Sequence, residues 1–178
     1  MTSAPAPTGR LFIGLFPDPG VQAAIDTYRR NWRWPRGARM VPPARIHMTL
    51  HFLGEVATTQ QAALQDGLSE MPMQALTLVL RTPEVWRNPV AVLLPDVHEG
   101  LRALHERLKQ PLLDAGLSPE TARWTPHLTI ARKCLGAMPP DEPPQIPWQV
   151  SELVLACSHL TPPVHYEILA RHSTRRQR

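Results

Sequence analysis

Strand-like runs that follow one another without a helix between them are the feature that most constrains this fold. Apolar runs at residues 75–81 and 90–94 are joined by a Pro-containing loop, and a second such pair lies at residues 148–158 and 164–170. Neighbours of this kind pair as antiparallel hairpins. Because helical patterns separate the remaining strands, the order predicts an α+β fold with mainly antiparallel sheets rather than a doubly wound parallel fold.

Three helices are predicted by their start signals. Asp18 followed by Pro19 is an N-cap with Pro at the first helical position, and this helix is expected to run to about residue 31. Thr58 with Gln61 fits a capping box for a helix to about residue 70. Asp96 is expected to cap a third helix, in which leucines recur at helical spacing.

The chain of 178 residues can bury one core, or two small lobes that share a core. Its longest apolar runs, such as residues 90–94, are of strand length, so no segment is expected to span a membrane. The first eight residues lack the pattern of a signal peptide. Cys134 and Cys157 are therefore interpreted as reduced thiols, and the protein is predicted to be cytoplasmic.

Basic residues outnumber acidic ones by 19 to 15, and all but two of the basic residues are Arg. The planar guanidinium suits phosphate oxygens, which favours a polyanionic partner; a GC-rich coding bias explains the same composition and stays open. In the loop at residues 32–43, Arg33, Arg36 and Arg39 stand close to Trp32 and Trp34. Such a mixture suits a nucleotide, although anchoring of the loop to the core is the favoured interpretation.

The tripeptide His-x-Thr occurs four times in the chain. The copy that begins at His159 is followed by Pro162 at a turn, and the copy at His172 lies in the basic tail, so neither is assigned a function. The copies at His47 and His127 lie inside apolar, strand-like runs and are separated by 80 residues, nearly half the chain. His98 and His105 fall on the third predicted helix and are expected to face solvent.

Residues two apart in a strand share a face, so His47 with Thr49, and His127 with Thr129, are predicted to point away from the core. Two imidazoles that face each other across a cleft can act as general base and general acid near neutral pH. Cleavage of a phosphodiester needs both acts, and a Thr hydroxyl beside each His can reach the phosphate. The chemistry requires no metal when the substrate is a strained cyclic phosphate.

These motifs resemble those of the 2H phosphoesterase superfamily, and most closely its RNA 2′,3′-cyclic phosphodiesterase (2′-5′ RNA ligase) branch. The resemblance rests on four segments: Arg10-Leu-Phe-Ile-Gly-Leu, Ile46-His-Met-Thr-Leu-His-Phe-Leu-Gly-Glu55, Arg123-Trp-Thr-Pro-His-Leu-Thr-Ile-Ala-Arg132, and the closing strands with Ser158 and Tyr166. It implies a single domain over residues 1–178, built of two similar lobes whose sheets flank a cleft, with helices outside. Residues 1–9 and 171–178 are expected to be flexible tails.

The resemblance also implies a function. The family hydrolyses RNA 2′,3′-cyclic phosphate ends to 2′-phosphates without ATP, metal or cofactor, and joins 2′-5′ ends in the reverse direction. His47 would be the proton donor to the departing 3′ oxygen and His127 the proton acceptor, while Thr49, Thr129 and Arg132 would hold the phosphate. The expected partner is an RNA or oligonucleotide with a 2′,3′-cyclic phosphate end, bound by a monomer without a membrane.

Periodicity raises two questions about the neighbours of these residues. Strict alternation places Arg132 on the face opposite His127, so a bulge, the strand's end or its long side chain must bring it round. Phe52 stands at the equivalent offset in the first motif, where it can stack on a base or fill the core. His51 is expected to share a face with His47, and in a helix the two would have the spacing of metal ligands.

Three alternatives stay open. The site can act on another small cyclic phosphate or a 2′-5′ oligonucleotide, it can be a non-catalytic module that binds RNA or nucleotides, or His47 and His51 can belong to a metal hydrolase. The chain departs from the family where the strand at residues 90–94 lacks an aromatic near its start, and where residues 136–147 form an unusually Pro-rich loop. Both departures concern substrate preference.

Overall fold

A computed structural model describes residues 9–174, and the chain forms nine strands and four helices over that range. The strands are β1 (Gly9–Leu15), β2 (Arg39–Met40), β3 (Met48–Gly54), β4 (Leu76–Trp86), β5 (Val90–Pro95), β6 (Leu128–Arg132), β7 (Ile146–Val150), β8 (Glu152–His159) and β9 (His165–Ser173). The helices are α1 (Pro19–Arg29), α2 (Thr58–Glu70), α3 (Glu99–Arg107) and α4 (Lys109–Asp114), and Pro43–Arg45 form a 3₁₀ turn.

The strands form two antiparallel sheets, in the orders β3-β1-β8-β9 and β2-β6-β5-β4-β7. The first predicted hairpin is present as the pair β4–β5 and the second as the pair β8–β9. The α+β prediction is therefore confirmed. The single strand predicted over residues 148–158 is wrong, however, because residues 148–150 belong to β7 in the other sheet and β8 begins only at Glu152. The loop expected at residues 136–147 ends two residues earlier than predicted, because β7 begins at Ile146 and pairs with β4.

One large core is shared by the two sheets, and it contains Ile13 and Leu155 from the first and Leu78 and Ile130 from the second. The opposite face of β1 is also covered, because Phe12 packs in a smaller cluster with Val154, Ala156 and residues of β9. Burial on both faces explains why β1 reads as a continuous apolar run instead of an alternating one. The aromatic side chains of this smaller cluster, Phe12, Phe16 and Tyr166, lie on the side of the sheet that faces away from the core.

The helix caps differ in part from the prediction. Asp18 caps α1 as expected, since its carboxylate accepts hydrogen bonds from the backbone of Gly20 and Val21 at 2.8 and 3.0 Å. Helix α3 is capped by His98, whose Nδ1 accepts the Leu101 N–H at 3.2 Å. Asp96 was the predicted cap, but its carboxylate instead pairs with Arg81 at 2.9 Å.

The predicted capping box of α2 is only half formed, because its N-cap, Ala57, has no side-chain acceptor. Ala57 is the N-cap, and the side chain of Gln60, rather than Gln61, accepts the Ala57 N–H at 3.4 Å. The third predicted helix is divided at Leu108, where α3 ends and α4 begins. Pro111 lies in α4 and cannot donate a backbone hydrogen bond to the preceding turn, which accounts for the break.

The predicted tails are wrong at the residues where the structure describes them. Gly9 begins β1 opposite His159. Arg171 and Ser173 pair with Val154 and Glu152, so residues 171–173 complete β9 instead of fraying. The Arg171 guanidinium also donates to the Glu152 carboxylate at 2.5 Å. Residues 1–8 and 175–178, on which the rest of this prediction falls, lie outside the described range.

Two further sequence predictions concern membrane-spanning segments and the state of the two cysteines. Within residues 9–174, no helix is long and apolar enough to cross a membrane. Cys134 and Cys157 are both free and buried, and burial raises the pKa of each thiol. A buried thiol with a raised pKa is a poor nucleophile, so neither cysteine competes with the histidines for a chemical role.

Candidate active site

His47 and His127 occupy matching positions, each one residue before a strand that carries its Thr. Strand β3 begins at Met48 and β6 at Leu128, so the prediction that the two His lie inside their strands is wrong by one residue. Each imidazole makes a local hydrogen bond to the backbone carbonyl two residues before it. His47 Nδ1 lies 2.9 Å from the Arg45 carbonyl oxygen, and His127 Nδ1 lies 2.8 Å from that of Thr125.

These two hydrogen bonds fix the protonation pattern of both rings. A carbonyl oxygen can only accept, so Nδ1 is the donor and carries the proton in each neutral imidazole. The Nε2 atoms are then left to accept or release a proton. Since the same contact to the residue two positions earlier occurs in both motifs, the two His present the same nitrogen to the space in front of them.

That space is a single cavity of about 430 Å³. It is lined by both motif pairs, His47 with Thr49 and His127 with Thr129, and by Arg132. The first pair comes from the four-stranded sheet and the second from the five-stranded sheet. The structure thus brings together five of the six residues that the sequence analysis selected, and it places them between the two sheets.

A β-bulge turns Arg132 toward this cavity. The pairing of β5 with β6 runs from Val92–Thr129 to Ala91–Ala131, so that Ile130 is an extra residue in β6. One extra residue reverses the alternation beyond it. Ile130 and Ala131 are therefore both buried in the core, while Arg132 lines the same cavity as Thr129. Of the three explanations offered for the position of Arg132, the bulge is the one that changes the alternation, and Arg132 is also the last residue of β6.

The first motif has a bulge at the equivalent place. Strand β1 pairs Gly14 with Thr49 and Ile13 with His51, so Leu50 is the extra residue of β3. Phe52 then lies opposite Phe12, on the side of the sheet that faces away from the core, and is 44% exposed. It does not fill the core, but it is also not among the residues that line the cavity. Its role in base stacking stays a prediction.

The same bulge turns His51 into the core, which corrects the expectation that it shares a face with His47. His51 is 1% exposed, and its Nε2 donates to the His105 carbonyl oxygen at 2.8 Å. Its ring stacks on that of His105 at 4.2 Å, and His105 stacks in turn on Trp124 at 4.1 Å. The prediction that His105 faces solvent is therefore wrong. The alternative of a metal site made by His47 and His51 is also wrong, because the His47 ring faces the cavity and the His51 ring faces the core.

The buried pair of His51 and His105 should make the protein sensitive to mild acid. Burial lowers the pKa of both imidazoles below 6.5, so their contribution to stability is complete above that pH and is lost as the pH falls. We expect urea unfolding to show a lower free energy of unfolding at pH 5.5 than at pH 7.5. The dependence should weaken in the double variant His51→Phe, His105→Phe. An equal dependence in both proteins would contradict this account.

The cavity is electrostatically positive. Arg39 and Arg45 line it together with Arg132, and its lining includes no carboxylate from the part of the chain that the structure describes. Burial lowers the pKa of His47, and the charges of Arg132, His127 and Arg45 lower it further, against the opposite effect of its bond to the Arg45 carbonyl. A neutral His47 in the free protein and three guanidinium groups suit an anionic ligand.

Sequence reasoning missed the aromatic residues that surround the two imidazoles. Phe12, Phe16 and Tyr166 lie 4.7, 5.2 and 5.1 Å from His47 between ring centroids. Trp86 lies 4.5 Å from His127. Because Trp86 pairs with Val90 at the start of β5, it supplies from β4 the aromatic that residues 90–94 lack. The prediction ended β4 at residue 81, five residues too early to reveal this partner.

The other basic and aromatic stretch does not belong to the cavity as a unit. Trp32 and Trp34 stack on each other at 4.8 Å, Trp32 is buried in the core, and Trp34 packs against the core. The favoured interpretation of this loop, as one anchored by its Trp pair, is confirmed. Of its three arginines, Arg39 lines the cavity, opposite Arg132 in the pairing of β2 with β6.

Comparison with known proteins agrees with this geometry. A family model described as the 2′-5′ RNA ligase superfamily matches residues 17–160. A Thermus thermophilus protein named RNA 2′,3′-cyclic phosphodiesterase is 33% identical over 196 residues, with 93% of this chain and 90% of the relative covered. A Bacillus subtilis protein of the same name is 30% identical over 131 residues, covering 70% of this chain and 72% of the relative.

Among solved structures, the crystal structure of E. coli LigT complexed with phosphate superimposes with a TM-score of 0.80 and 25% sequence identity. It covers 95% of this chain and 99% of the LigT chain, so the likeness extends over both sheets. The family model spans most of the chain and includes both His-x-Thr motifs. The resemblance seen in the motifs is confirmed: the chain belongs to the 2′-5′ RNA ligase superfamily.

Proposed function

We propose that the protein hydrolyses RNA 2′,3′-cyclic phosphate ends to 2′-phosphates by acid–base catalysis with two histidines. The observation that carries the proposal is the matched pair of imidazoles, each with Nδ1 held by a backbone carbonyl, in one cavity lined by arginines. The relatives named RNA 2′,3′-cyclic phosphodiesterase support the substrate class. A cytoplasmic monomer that acts on RNA without a cofactor completes the proposal.

In the proposed reaction, the cyclic phosphate lies between the two Nε2 atoms. His127 Nε2 takes a proton from water, whose oxygen attacks phosphorus. The bond from phosphorus to the 3′ oxygen breaks, and His47 Nε2 donates its proton to that oxygen, so the 2′-phosphate remains. The phosphate anion offsets the burial that lowers the pKa of His47, and the bound complex thereby favours the charged ring that the donor needs.

The remaining cavity residues would bind the phosphate itself. The hydroxyls of Thr49 and Thr129 can donate to the non-bridging oxygens, and Arg132 can offer two parallel N–H groups. A 5′-hydroxyl can replace water as the nucleophile: His127 Nε2 takes its proton, its oxygen attacks phosphorus, and His47 Nε2 again donates a proton to the departing 3′ oxygen, which leaves a 2′-5′ linkage. We include this ligation in the proposal; the roles of the two His exchange only when the linkage is cleaved again by the 3′-hydroxyl.

The test offers the protein an oligonucleotide with a 2′,3′-cyclic phosphate end in the presence of EDTA. We expect a 2′-phosphate product, identified by ³¹P NMR and by its resistance to an enzyme that removes only 3′-phosphates. A 3′-phosphate product would reverse the assignment of the leaving group. Binding without turnover would instead establish the alternative of a non-catalytic RNA-binding module. Turnover of only small cyclic nucleotides would establish the alternative of a phosphodiesterase that acts on another small cyclic phosphate.

Substitution of Arg132 tests the phosphate contact. We expect Arg132→Ala to lower kcat/KM by roughly 10- to 100-fold, since a hydrogen bond to a charged group is worth about 1.5–3 kcal/mol. Arg132→Lys should recover part of the loss, because an ammonium keeps the charge but not the paired donors. Lys133→Ala is the matched control, as it removes a neighbouring charge that does not line the cavity. Equal effects at both positions would show that only net charge matters.

A further inference from the structure

A second cavity, of about 690 Å³, adjoins the first, and Arg45 and Tyr166 line both. Its walls include Phe16, which also contacts the His47 ring at 5.2 Å. The two spaces are therefore contiguous at the His47 end of the catalytic cavity. The volume is within the range of sites that hold a molecule of nucleoside size.

Arg45 stands between the two cavities with its charge available to a ligand. Its Cζ lies 5.3 Å from the centre of the Tyr166 ring, in a cation–π contact. Its Nε is buried, and among residues 9–174 no acceptor or carboxylate pairs with this atom. Because this guanidinium is held by an aromatic ring and lines both cavities, its outer nitrogens can bind an anionic group of a ligand.

The charge of the second cavity differs from that of the first. Its acidic residues are already engaged: the Asp18 carboxylate caps α1, and the Glu152 carboxylate binds Arg171. Of the two arginines that line this cavity, Arg171 is paired with Glu152, so only Arg45 remains among the described residues to attract a phosphate. Apolar groups such as Phe16 and Val164, together with polar Ser151, suit a neutral nucleoside.

The direction of the substrate follows from the proposed roles of the two His. If His47 protonates the 3′ oxygen, the ribose lies on the His47 side of the cavity, against the cluster of Phe12, Phe16 and Tyr166. The chain that continues from the 5′ carbon of this ribose would then pass Arg45 and Tyr166, which line both cavities, and its first phosphodiester would lie beside Arg45.

We propose that Arg45 binds the phosphodiester on the 5′ side of the terminal nucleotide and that the second cavity holds the preceding nucleoside. The inference rests on the proposed function and deepens it: the preferred substrates are oligonucleotides of two or more residues, not mononucleotides. The opposite end of the catalytic cavity, with Arg39 and Trp86, faces the attacking water or the incoming 5′-hydroxyl.

The test compares adenosine 2′,3′-cyclic phosphate with the dinucleotide ApA that ends in the same cyclic phosphate. We expect the wild-type protein to have the higher kcat/KM on the dinucleotide, and Arg45→Ala to reduce that preference about tenfold. Ser151→Trp, which fills the second cavity, should reduce the preference as well. Arg39→Ala, at the opposite end, is the matched control and should affect both substrates by the same factor.

An unchanged preference in Arg45→Ala and Ser151→Trp would overturn the inference, and so would a loss of preference in Arg39→Ala alone. A second measurement separates this failure from that of the proposed function. The affinities of adenosine 2′-phosphate and of ApA 2′-phosphate are measured by calorimetry, without turnover. Tighter binding of the dinucleotide that depends on Arg45 supports the second cavity even for a protein that cleaves neither substrate; equal affinities overturn it.

Discussion

His47→Ala and His127→Ala should each lower kcat for a 2′,3′-cyclic phosphate end by about 10²- to 10⁴-fold, the usual effect of losing a general acid or base. Each variant keeps the other imidazole, the arginines and the Thr hydroxyls of the cavity. KM should therefore change much less than kcat. The double variant should lose little more than either single one, because proton donation and acceptance act as one unit.

His159→Ala is the matched control for these variants. His159 belongs to a third His-x-Thr sequence, but its ring pairs with Glu167 at 2.8 Å and does not line the cavity. Its substitution should leave turnover unchanged. Turnover at the wild-type rate in either His47→Ala or His127→Ala would contradict the two-histidine mechanism. A loss of turnover in His159→Ala as large as in these two variants would contradict it as well. Circular dichroism of each variant separates loss of chemistry from loss of fold.

Arg29→Ala should reduce the free energy of unfolding by about 1–3 kcal/mol, because it leaves the Val41 carbonyl without a donor, while the Ile130 carbonyl keeps only the Val41 N–H at 3.0 Å. Arg29 is 5% exposed, and its Nη1 donates to the Val41 and Ile130 carbonyl oxygens at 2.6 and 3.1 Å. Ile130 is the extra residue of the bulge that turns Arg132 toward the cavity. Urea unfolding measures the loss, and kcat/KM of the folded variant should fall because Arg132 is less well placed.

Arg30→Ala is the control for this variant. Arg30 and Arg29 both pair with Asp26, but the Arg30 side chain is 74% exposed. An exposed ion pair contributes little, so the free energy of unfolding should stay within experimental error of the wild-type value. If Arg29→Ala were as mild as Arg30→Ala, the Val41 carbonyl and the bulge at Ile130 would not depend on Arg29, and the structural role assigned to Arg29 would be wrong.

Much of the fold is readable from the sequence because it depends on local patterns. The alternating and continuous apolar runs predict the hairpins, and Asp18 before Pro19 predicts the start of α1. The candidate His and Thr residues are selected for the same reason, since a polar pair on one face of an apolar strand is visible without a partner. The errors begin where an element depends on its neighbour in space.

The bulges are the clearest example. Leu50 and Ile130 are apolar residues in apolar runs, and nothing in the runs themselves shows that each is an extra residue. Register is set by the partner strands, β1 and β5, so alternation carried past Thr49 places His51 on the wrong face. Trp86 is hidden in a similar way, because its contact with His127 joins residues of different strands.

The position two residues beyond each bulge has a consequence for the handedness of substrate binding. Two half-sites with the same imidazole and hydroxyl arrangement would accept a cyclic phosphate equally well in either of two opposed orientations, of which one is unproductive. Phe52 and Arg132 occupy equivalent positions in the two motifs, but only the cationic Arg132 lines the cavity. Together with the different aromatic neighbours of His47 and His127, this difference breaks the local symmetry. A cyclic phosphate is therefore expected to bind in one of the two opposed orientations rather than in both.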